Sequence, residues 1–190
     1  MEDVINRRAS FPLRNRVLRF LWGAVRIVLF APSPRPFHAW RAFLLRCFGA
    51  SLGRDCRIYP KAQVWAPWNL KCDDFVGVAD GAIIYNPAPI SLATYAIVSQ
   101  EAYLCGATHD YMKPHFPLVS SQITIGRYAW ICARATVQPG VRVGDGAVLG
   151  LGAVATKDLD PWKVYAGIPA RFVKDRTPIP QMQETGATAP

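Results

Sequence analysis

From Ile58 onward an aliphatic residue returns at every sixth position: Ile58, Val64 and Leu70; Val78, Ile84 and Ile90; Leu92, Val98 and Leu104; then Ile125, Ile131, Val137, Val143 and Leu149. The phase slips by two at Cys72 and again at Leu92. Four residues after most of these positions the side chain is small, as at Ala62, Ala82, Ala88, Ala96, Ala102, Ala129, Ala135, Ala147 and Ala153. Late in the chain a glycine follows the aliphatic residue, as in Ile125-Gly126, Val143-Gly144 and Leu149-Gly150. Neither an amphipathic helix nor an alternating strand holds a period of six. Short strands with a bend after each do. Every aliphatic side chain then lies on the axis of a prism, and a small residue near each corner lets the backbone turn without a clash. Stacked turns bury a continuous core that one repeat cannot form alone.

Upstream the pattern changes. Ser10 and Pro12 can open a helix. Residues 13–30 are then nearly all apolar, with Arg16, Arg19, Gly23 and Arg26 recurring as one thin polar stripe. Such a helix must bury most of its surface. It is too short and too charged to span a bilayer, so it packs on the body or a neighbouring subunit, the commoner fate of such helices, or lies in a membrane surface with its arginines at the phosphates. The Pro-rich stretch Ala31-Pro32-Ser33-Pro34-Arg35-Pro36 ends it, and residues 37–48 read as a second short helix stopped at Gly49. The rhythm of six also stops between Leu104 and Ile123, where Gly106, Pro114 and Pro117 predict an extruded loop over 105–122. The expected organisation is an Arg-rich helical extension over 1–54, a β-helix over 55–173 and a flexible tail over 174–190.

Composition narrows the function classes. The 190 residues are 51% hydrophobic, too apolar for disorder and, with charges interrupting every run, not an integral membrane protein. Cys47, Cys56, Cys72, Cys105 and Cys132 are odd in number and lack paired spacing, and no signal peptide precedes them, which points to a reducing cytoplasm rather than a disulfide framework. The net charge of +9 lies in the extension: residues 1–54 hold ten arginines against Glu2 and Asp3, whereas 55–190 hold twelve basic and eleven acidic residues. That extension contains no reading helix or aromatic stacking platform, so nucleic acid is not the expected partner.

The segments Ile125-Gly126-x-x-Ala129-Trp130-Ile131 and Val143-Gly144-x-Gly146-Ala147-Val148-Leu149-Gly150-x-Gly152-Ala153 resemble the hexapeptide-repeat acyltransferases, whose fold is a left-handed parallel β-helix. The ending Thr156-Lys157-Asp158 and Ala166-Gly167-Ile168-Pro169-Ala170-Arg171 is similar to that family's last coil and closing segment. The similarity is closest to the colanic acid biosynthesis acetyltransferase group. It runs over about 11–176 and includes Trp65-Ala66-Pro67-Trp68-Asn69-Leu70, Tyr85-Asn86-x-Ala88-Pro89-Ile90 and Thr108-His109-Asp110. Cys72-Asp73 and Leu92-Ala93 depart from the usual Ile-Gly pairs, which is expected to loosen the repeat at two corners.

Acetyl transfer from a thioester to a sugar hydroxyl needs a base, and histidine suits that task near neutral pH. By resemblance His109 is that base, and the backbone amide of Ala133 is the oxyanion donor. Asp110 either orients His109 or caps the loop turn. Tyr85, Asn86 and Asp110 are candidate acceptor-binding residues, with a turn-forming Asn-Pro as the plain alternative at Asn86. Trp65 and Trp68 are expected to pack rather than to stack on sugars. Acetyl-CoA is expected along Trp130, Gly150, Leu151, Gly152, Thr156, Lys157 and Arg171, the glycines permitting close backbone approach and the others supplying donors and positive charge. The family's cofactor groove lies between subunits of a trimer, which implies a homotrimer working in the cytoplasm on a polysaccharide or lipid-linked glycan precursor, with a possible peripheral contact to the inner membrane through the first helix. No metal is implied: a three-histidine site would need His38, which lies outside the β-helix, together with His109 and His115. A covalent Cys105–His109 mechanism, a non-catalytic scaffold and a small non-sugar acceptor are the competing readings.

Overall fold

The computed structural model describes residues 11–178; the Ser10 helix-opening position and residues 179–190 of the expected tail lie outside the described residues. Strands of two or three residues wind into a three-sided prism. The first face stacks Ser51–Leu52, Leu70–Cys72, Ile90–Leu92, Ile123–Ile125 and Arg142–Val143. The second stacks Arg57–Ile58, Gly77–Val78, Ile97–Val98, Trp130–Ile131, Val148–Leu149 and Lys163–Ala166. The third stacks Gln63–Val64, Ile83–Tyr85, Tyr103–Cys105, Thr136–Val137 and Val154–Ala155. Successive turns pair in parallel, and Arg171–Asp175 closes the second face antiparallel to Lys163–Ala166. The aliphatic residues of the sixfold pattern fill the axis, fully buried from Ile58 to Leu149.

Most bends at the first and second corners are single hydrogen-bonded turns. The amide of the small residue donates to the carbonyl three residues back: Ala96 to Ala93 and Ala129 to Gly126 at the first corner, Ala102 to Ser99 and Ala135 to Cys132 at the second. The residue before the small one has positive φ, as at Tyr95 (62°), Tyr128 (56°), Glu101 (57°) and Arg134 (59°). Turns of this kind require the left-handed region at their third position, which costs a bulky side chain of order 1–3 kcal/mol. Stacking offsets that cost at the first corner. The rings of Phe75, Tyr95 and Tyr128 lie 4.8 Å apart centroid to centroid and are tilted by only 7° and 11°. Arg54 lies over Phe75 at one end of this column. At the other, a Cβ on Gly146 would collide with the Trp162 ring, over which Arg176 lies.

The two phase slips have a geometric cause. Leu70 pairs with Ile90, a turn of twenty residues, while Ile125 pairs with Val143, a turn of eighteen. The longer turns put three-residue strands on the first face, so that Leu70 and Cys72, and likewise Ile90 and Leu92, both point inward. Cys72-Asp73 and Leu92-Ala93 do not loosen the repeat as expected. The Cys72 carbonyl accepts from Gly53, Asp73 donates to Leu92, and Ala93 donates to Ile125. Ser51–Leu52 already pairs with the next turn, so the prism begins before the expected boundary at 55, and its last strand passes the boundary at 173 to reach Asp175. Arg176 is anchored to the carbonyls of Trp162, Tyr128 and Gly146, so the start of the expected tail belongs to the body. Neither end strand shows the sixfold pattern: one has a single inward residue and the other is wholly exposed.

Helix α1 (Leu13–Val25) runs into a π-helical turn over Arg26–Phe30, and α2 (His38–Cys47) follows the Pro-rich bend. Trp22, Phe30, Leu44 and Leu45 join the core, and Trp22 Nε1 donates to the Val64 carbonyl at 2.7 Å. Arg41 is buried and clamps the bend to the prism, donating to the carbonyls of Ile58, Pro34 and Arg35 and to Ser33 Oγ. The expectation that the first helix buries most of its surface is not met within this chain: Leu13, Phe20, Ile27 and Val28 are 72%, 77%, 65% and 66% exposed.

Removing the Arg41 donors leaves carbonyls unpaired in the interior, so Arg41→Met should cost about 3 kcal/mol in chemical denaturation. Backbone and side-chain donors of Arg142 hold the Asp158 carboxylate below its usual pKa. A depressed carboxylate pKa adds stability that is full above the unfolded value, about 3.9, and is lost as pH falls through the folded one. Asp158→Asn should therefore lower stability at neutral pH and flatten its decline in acid titrations below about pH 4.

Candidate active site

The expected loop over 105–122 is a β-hairpin that leaves the third corner, between the third and first faces. Gly106 makes this exit possible: its amide donates to the Tyr85 carbonyl at 2.7 Å, and a Cβ there would sit 2.6 Å from that oxygen. Ala107–His109 pairs antiparallel with Leu118–Ser120, so His109 faces Leu118. At the tip His115 (φ 69°) and Phe116 (φ 46°) both adopt left-handed backbone, which turns the Phe116 carbonyl inward. His109 Nδ1 lies 2.6 Å from that oxygen. A carbonyl only accepts, so Nδ1 carries the proton and Nε2 presents a free lone pair on an exposed ring.

Asp110 does not orient His109. Its carboxylate accepts from the Met112 amide at 3.0 Å and pairs with Lys113 at 3.4 Å, which makes it the cap of the hairpin turn. Cys105 and His109 are not paired either: the Cys105 thiol donates to the Ala107 carbonyl while His109 is engaged with Phe116. Asn86 is also corrected. It is fully buried, and its amide accepts from the Ala66 N–H and donates to the Ala66 carbonyl, stapling two turns at the third corner. Nothing of it remains to meet an acceptor.

Half-buried Tyr85 meets the Trp65 ring edge-on, and burial raises its phenol pKa. Trp65 is packed, with the Arg19 guanidinium 4.4 Å from its centroid and Phe11 on it as well, as expected for a structural tryptophan. Tyr103, which sequence reasoning passed over, lies beside Tyr85 on the third face; burial and a hydrogen bond to Cys105 hold its phenol well above the usual value.

Ala133 lies at the second corner, between the second and third faces, and its carbonyl accepts from Gly152 one turn on. Among the described residues its N–H donates to no partner. Leu151, 75% exposed, lies one turn beyond Ala133. Gly152 has φ 64° with open space where a Cβ would stand, whereas a Cβ on Gly150 would crowd the Tyr165 carbonyl at 3.0 Å, giving that glycine a packing reason. Trp130 stands on the second face, half exposed and pinned by Nε1 to Ser99 Oγ at 2.8 Å, an anchor with no sequence signal. The closing segment docks on Val154 through Ala170, which brings exposed Arg171 near the second corner. Thr156 and Lys157 are exposed at the third corner, on the hairpin's side of the prism.

The candidate residues thus form two groups. His109, Asp110, Thr156 and Lys157 mark the third corner; Ala133, Leu151 and Gly152 mark the second. One whole face separates them. The Ala133 corner stacks on Gln100, and the hairpin begins at Gly106 on the same turn, six residues or roughly 20 Å away. A single chain does not bring the base and the oxyanion donor together. A groove of about 1050 Å³ runs along the second face between α2 and the aromatic column and ends at Ser99 and Gln100, beside the Ala133 corner. Among the described residues no group of three or more His, Cys, Asp and Glu is placed to hold a metal.

No family model matches the chain. It is 37% identical over 156 residues to the putative colanic acid biosynthesis acetyltransferase WcaF of Escherichia coli, covering 82% of this chain and 86% of that protein. Among solved structures, a maltose O-acetyltransferase from Clostridium difficile superposes with a TM-score of 0.80 at 21% identity, covering 88% of this chain and 90% of that one. A hexapeptide-repeat acetyltransferase from Vibrio cholerae, solved with acetyl coenzyme A, superposes with a TM-score of 0.79 at 20% identity over 90% of this chain and 93% of its own. The fold is that of the left-handed β-helix, with about six turns.

Because the Asn86 amide is spent on Ala66, Asn86→Ala should lower stability by about 1–3 kcal/mol and leave the KM for any acceptor unchanged. A raised acceptor KM in a fully folded variant would restore Asn86 to the site.

Proposed function

The chain belongs to the colanic acid biosynthesis acetyltransferase group of hexapeptide-repeat enzymes, and we propose that it transfers acetyl from acetyl-CoA to a sugar hydroxyl of an exopolysaccharide or lipid-linked glycan precursor. The observation that carries this reading is the 2.6 Å contact between His109 Nδ1 and the Phe116 carbonyl. With Nδ1–H given to the Phe116 carbonyl, Nε2 is the accepting nitrogen on an exposed edge. It takes the proton of the sugar hydroxyl as that oxygen attacks the thioester carbonyl carbon. The Ala133 N–H donates to the carbonyl oxygen as it gains charge. Collapse of the tetrahedral adduct breaks the carbon–sulfur bond, and the imidazolium returns its proton to the departing thiolate. Atoms and charge balance without a covalent enzyme intermediate. Burial raises the Cys132 thiol pKa, so the cysteine next to Ala133 is poorly suited to act as a thiolate nucleophile.

The separation of His109 from Ala133 supports a homotrimer. In a cyclic trimer the third corner of one subunit faces the second corner of its neighbour, which completes three equivalent sites from halves. Gly152 and Leu151 then offer open backbone to the pantetheine arm, and Lys157 and Arg171 offer charge to its phosphates. The reading places the enzyme in the cytoplasm, peripheral to the inner membrane face, where such glycans are built.

Calorimetric titration with acetyl-CoA should give micromolar binding at one per chain; no binding would remove the donor. His109→Ala should lower kcat by about a hundredfold or more, as loss of a general base does, while acetyl-CoA binding persists. Near-normal turnover in that variant would sink the mechanism.

A further inference from the structure

The exposed side of α1 is apolar, and nothing among the described residues covers it. Leu13, Val17, Phe20, Leu21, Ala24 and Val28 fall within an arc of about 100° at 100° per residue. All six are exposed, and Arg14 and Arg16, also exposed, border the arc on either side. The opposite side of the helix carries Trp22 and Val25 against the prism. Across the π-helical turn the apolar surface continues onto α2, where Phe37, Trp40 and Phe43 are exposed and Trp40 Nε1 ties the two segments together through the Leu29 carbonyl. Between them lies an open cleft of about 380 Å³ lined by Val28, Leu29, Pro32, Phe37 and Trp40.

Charge identifies the occupant. No Asp or Glu occurs anywhere from Val4 to Arg54, a stretch containing ten arginines. The acids of the prism are largely spent inside the chain: Asp73, Asp74, Asp80, Glu101, Asp110, Asp158 and Asp160 each pair with a Lys or Arg, and only two of those pairs, through Arg35 and Arg54, involve the extension. A second copy of this chain therefore has little negative charge to set against Arg14, Arg16 and Arg26. An apolar arc bordered by arginines matches instead a surface with an apolar interior and phosphates above it. No helix among the described residues is long and apolar enough to cross a membrane, so the contact is to one leaflet.

We propose that the outer face of α1, the π-helical turn and α2 form one docking surface for an anionic phospholipid bilayer, with Phe20, Val28 and Phe37 entering the acyl boundary and Arg14 and Arg16 meeting headgroup phosphates. The inference gives the proposed peripheral localisation a defined surface and rests on that reading only for its biological setting. The extension caps the first turns of the prism, through α2 on Arg57–Ile58 and Trp22 on Val64. A threefold axis along the prism would turn three such surfaces to the same side, and their avidities would multiply.

Flotation of the full-length protein with phosphatidylcholine vesicles, with and without phosphatidylglycerol, tests this without any acyl donor, so it stands or falls apart from the transferase assignment. The protein should float with anionic vesicles at low salt, and remain at the bottom with neutral ones or at high salt. Arg14→Glu/Arg16→Glu and Phe20→Ser/Val28→Ser should each reduce the bound fraction about tenfold or more, with circular dichroism and light-scattering mass unchanged. No flotation of the wild type at low salt would overturn the proposal, as would equal flotation of the variants. A fall in oligomeric mass for Phe20→Ser/Val28→Ser would also overturn it, since the face would then be a contact between copies.

Discussion

Much of this molecule follows from one backbone constraint: the chain must bend three times per turn within a few residues, and at the first and second corners most bends use a left-handed residue followed by a buried one, most often alanine. Where that pair is Tyr95-Ala96 or Arg134-Ala135, the alanine lies inside and its amide closes the turn. A larger side chain at the alanine would meet the packed axis. Once corners are fixed, register is fixed, because a slip by one residue would turn every aliphatic side chain outward. The left-handed residues are a cost that recurs at each turn, so it is offset by an interaction that also recurs: stacked rings at the first corner, and at the second the Arg134–Glu101 pair between left-handed residues of successive turns.

The same regularity explains how much of the fold could be read from the chain. Period six and its small partners predict the prism, and Ile58 to Leu149 occupy the axis as expected. The slips at Cys72 and Leu92 carry a signal whose meaning appears only in three dimensions, where a wider third corner admits two further residues and the first face accepts a second inward side chain. Ser51–Leu52 and Arg171–Asp175 leave no trace because a strand of two residues, or one exposed throughout, has no periodicity to detect. The hairpin is legible as an interruption, but not as a hairpin: its tip turns on His115 and Phe116 in left-handed conformations, without the glycine that usually marks such a place.

The candidate site is legible in part for a related reason. Sequence marks residue types, and both His109 and Ala133 fall where backbone geometry leaves a free acceptor and a free donor. Sequence does not mark who has already used a polar group. Asn86 resembles a binding residue, yet its amide is consumed by Ala66 within the corner. Asp110 stands next to His109 and is consumed by the Met112 amide and Lys113. Conversely Ser99 has no motif, and it alone fixes the indole of Trp130 over the second face. Which polar groups remain available is thus a matter of hydrogen-bond accounting rather than of residue identity.

The hairpin and the extension stand outside the repeat for the same physical reason. A prism whose strands pair with the turns above and below leaves few spare backbone donors or acceptors on its faces. Chemistry must enter where the ladder is interrupted, at a corner or at an end. The third corner is interrupted at Gly106, and the excursion there carries an imidazole whose partner, the Phe116 carbonyl, is supplied by the excursion itself. The first turn is an end, and its exposed edge is capped by α2 and by the buried Arg41 clamp rather than left to pair with another chain. The cap needs only one side of each helix to do this. The other side is thereby free to be apolar, and the arginines that border it are held at the end of the prism while His109 is held at its edge. Paired coils lie between the two, so that the apolar face of the extension and the imidazole of the hairpin are joined through a continuous ladder of stacked strands.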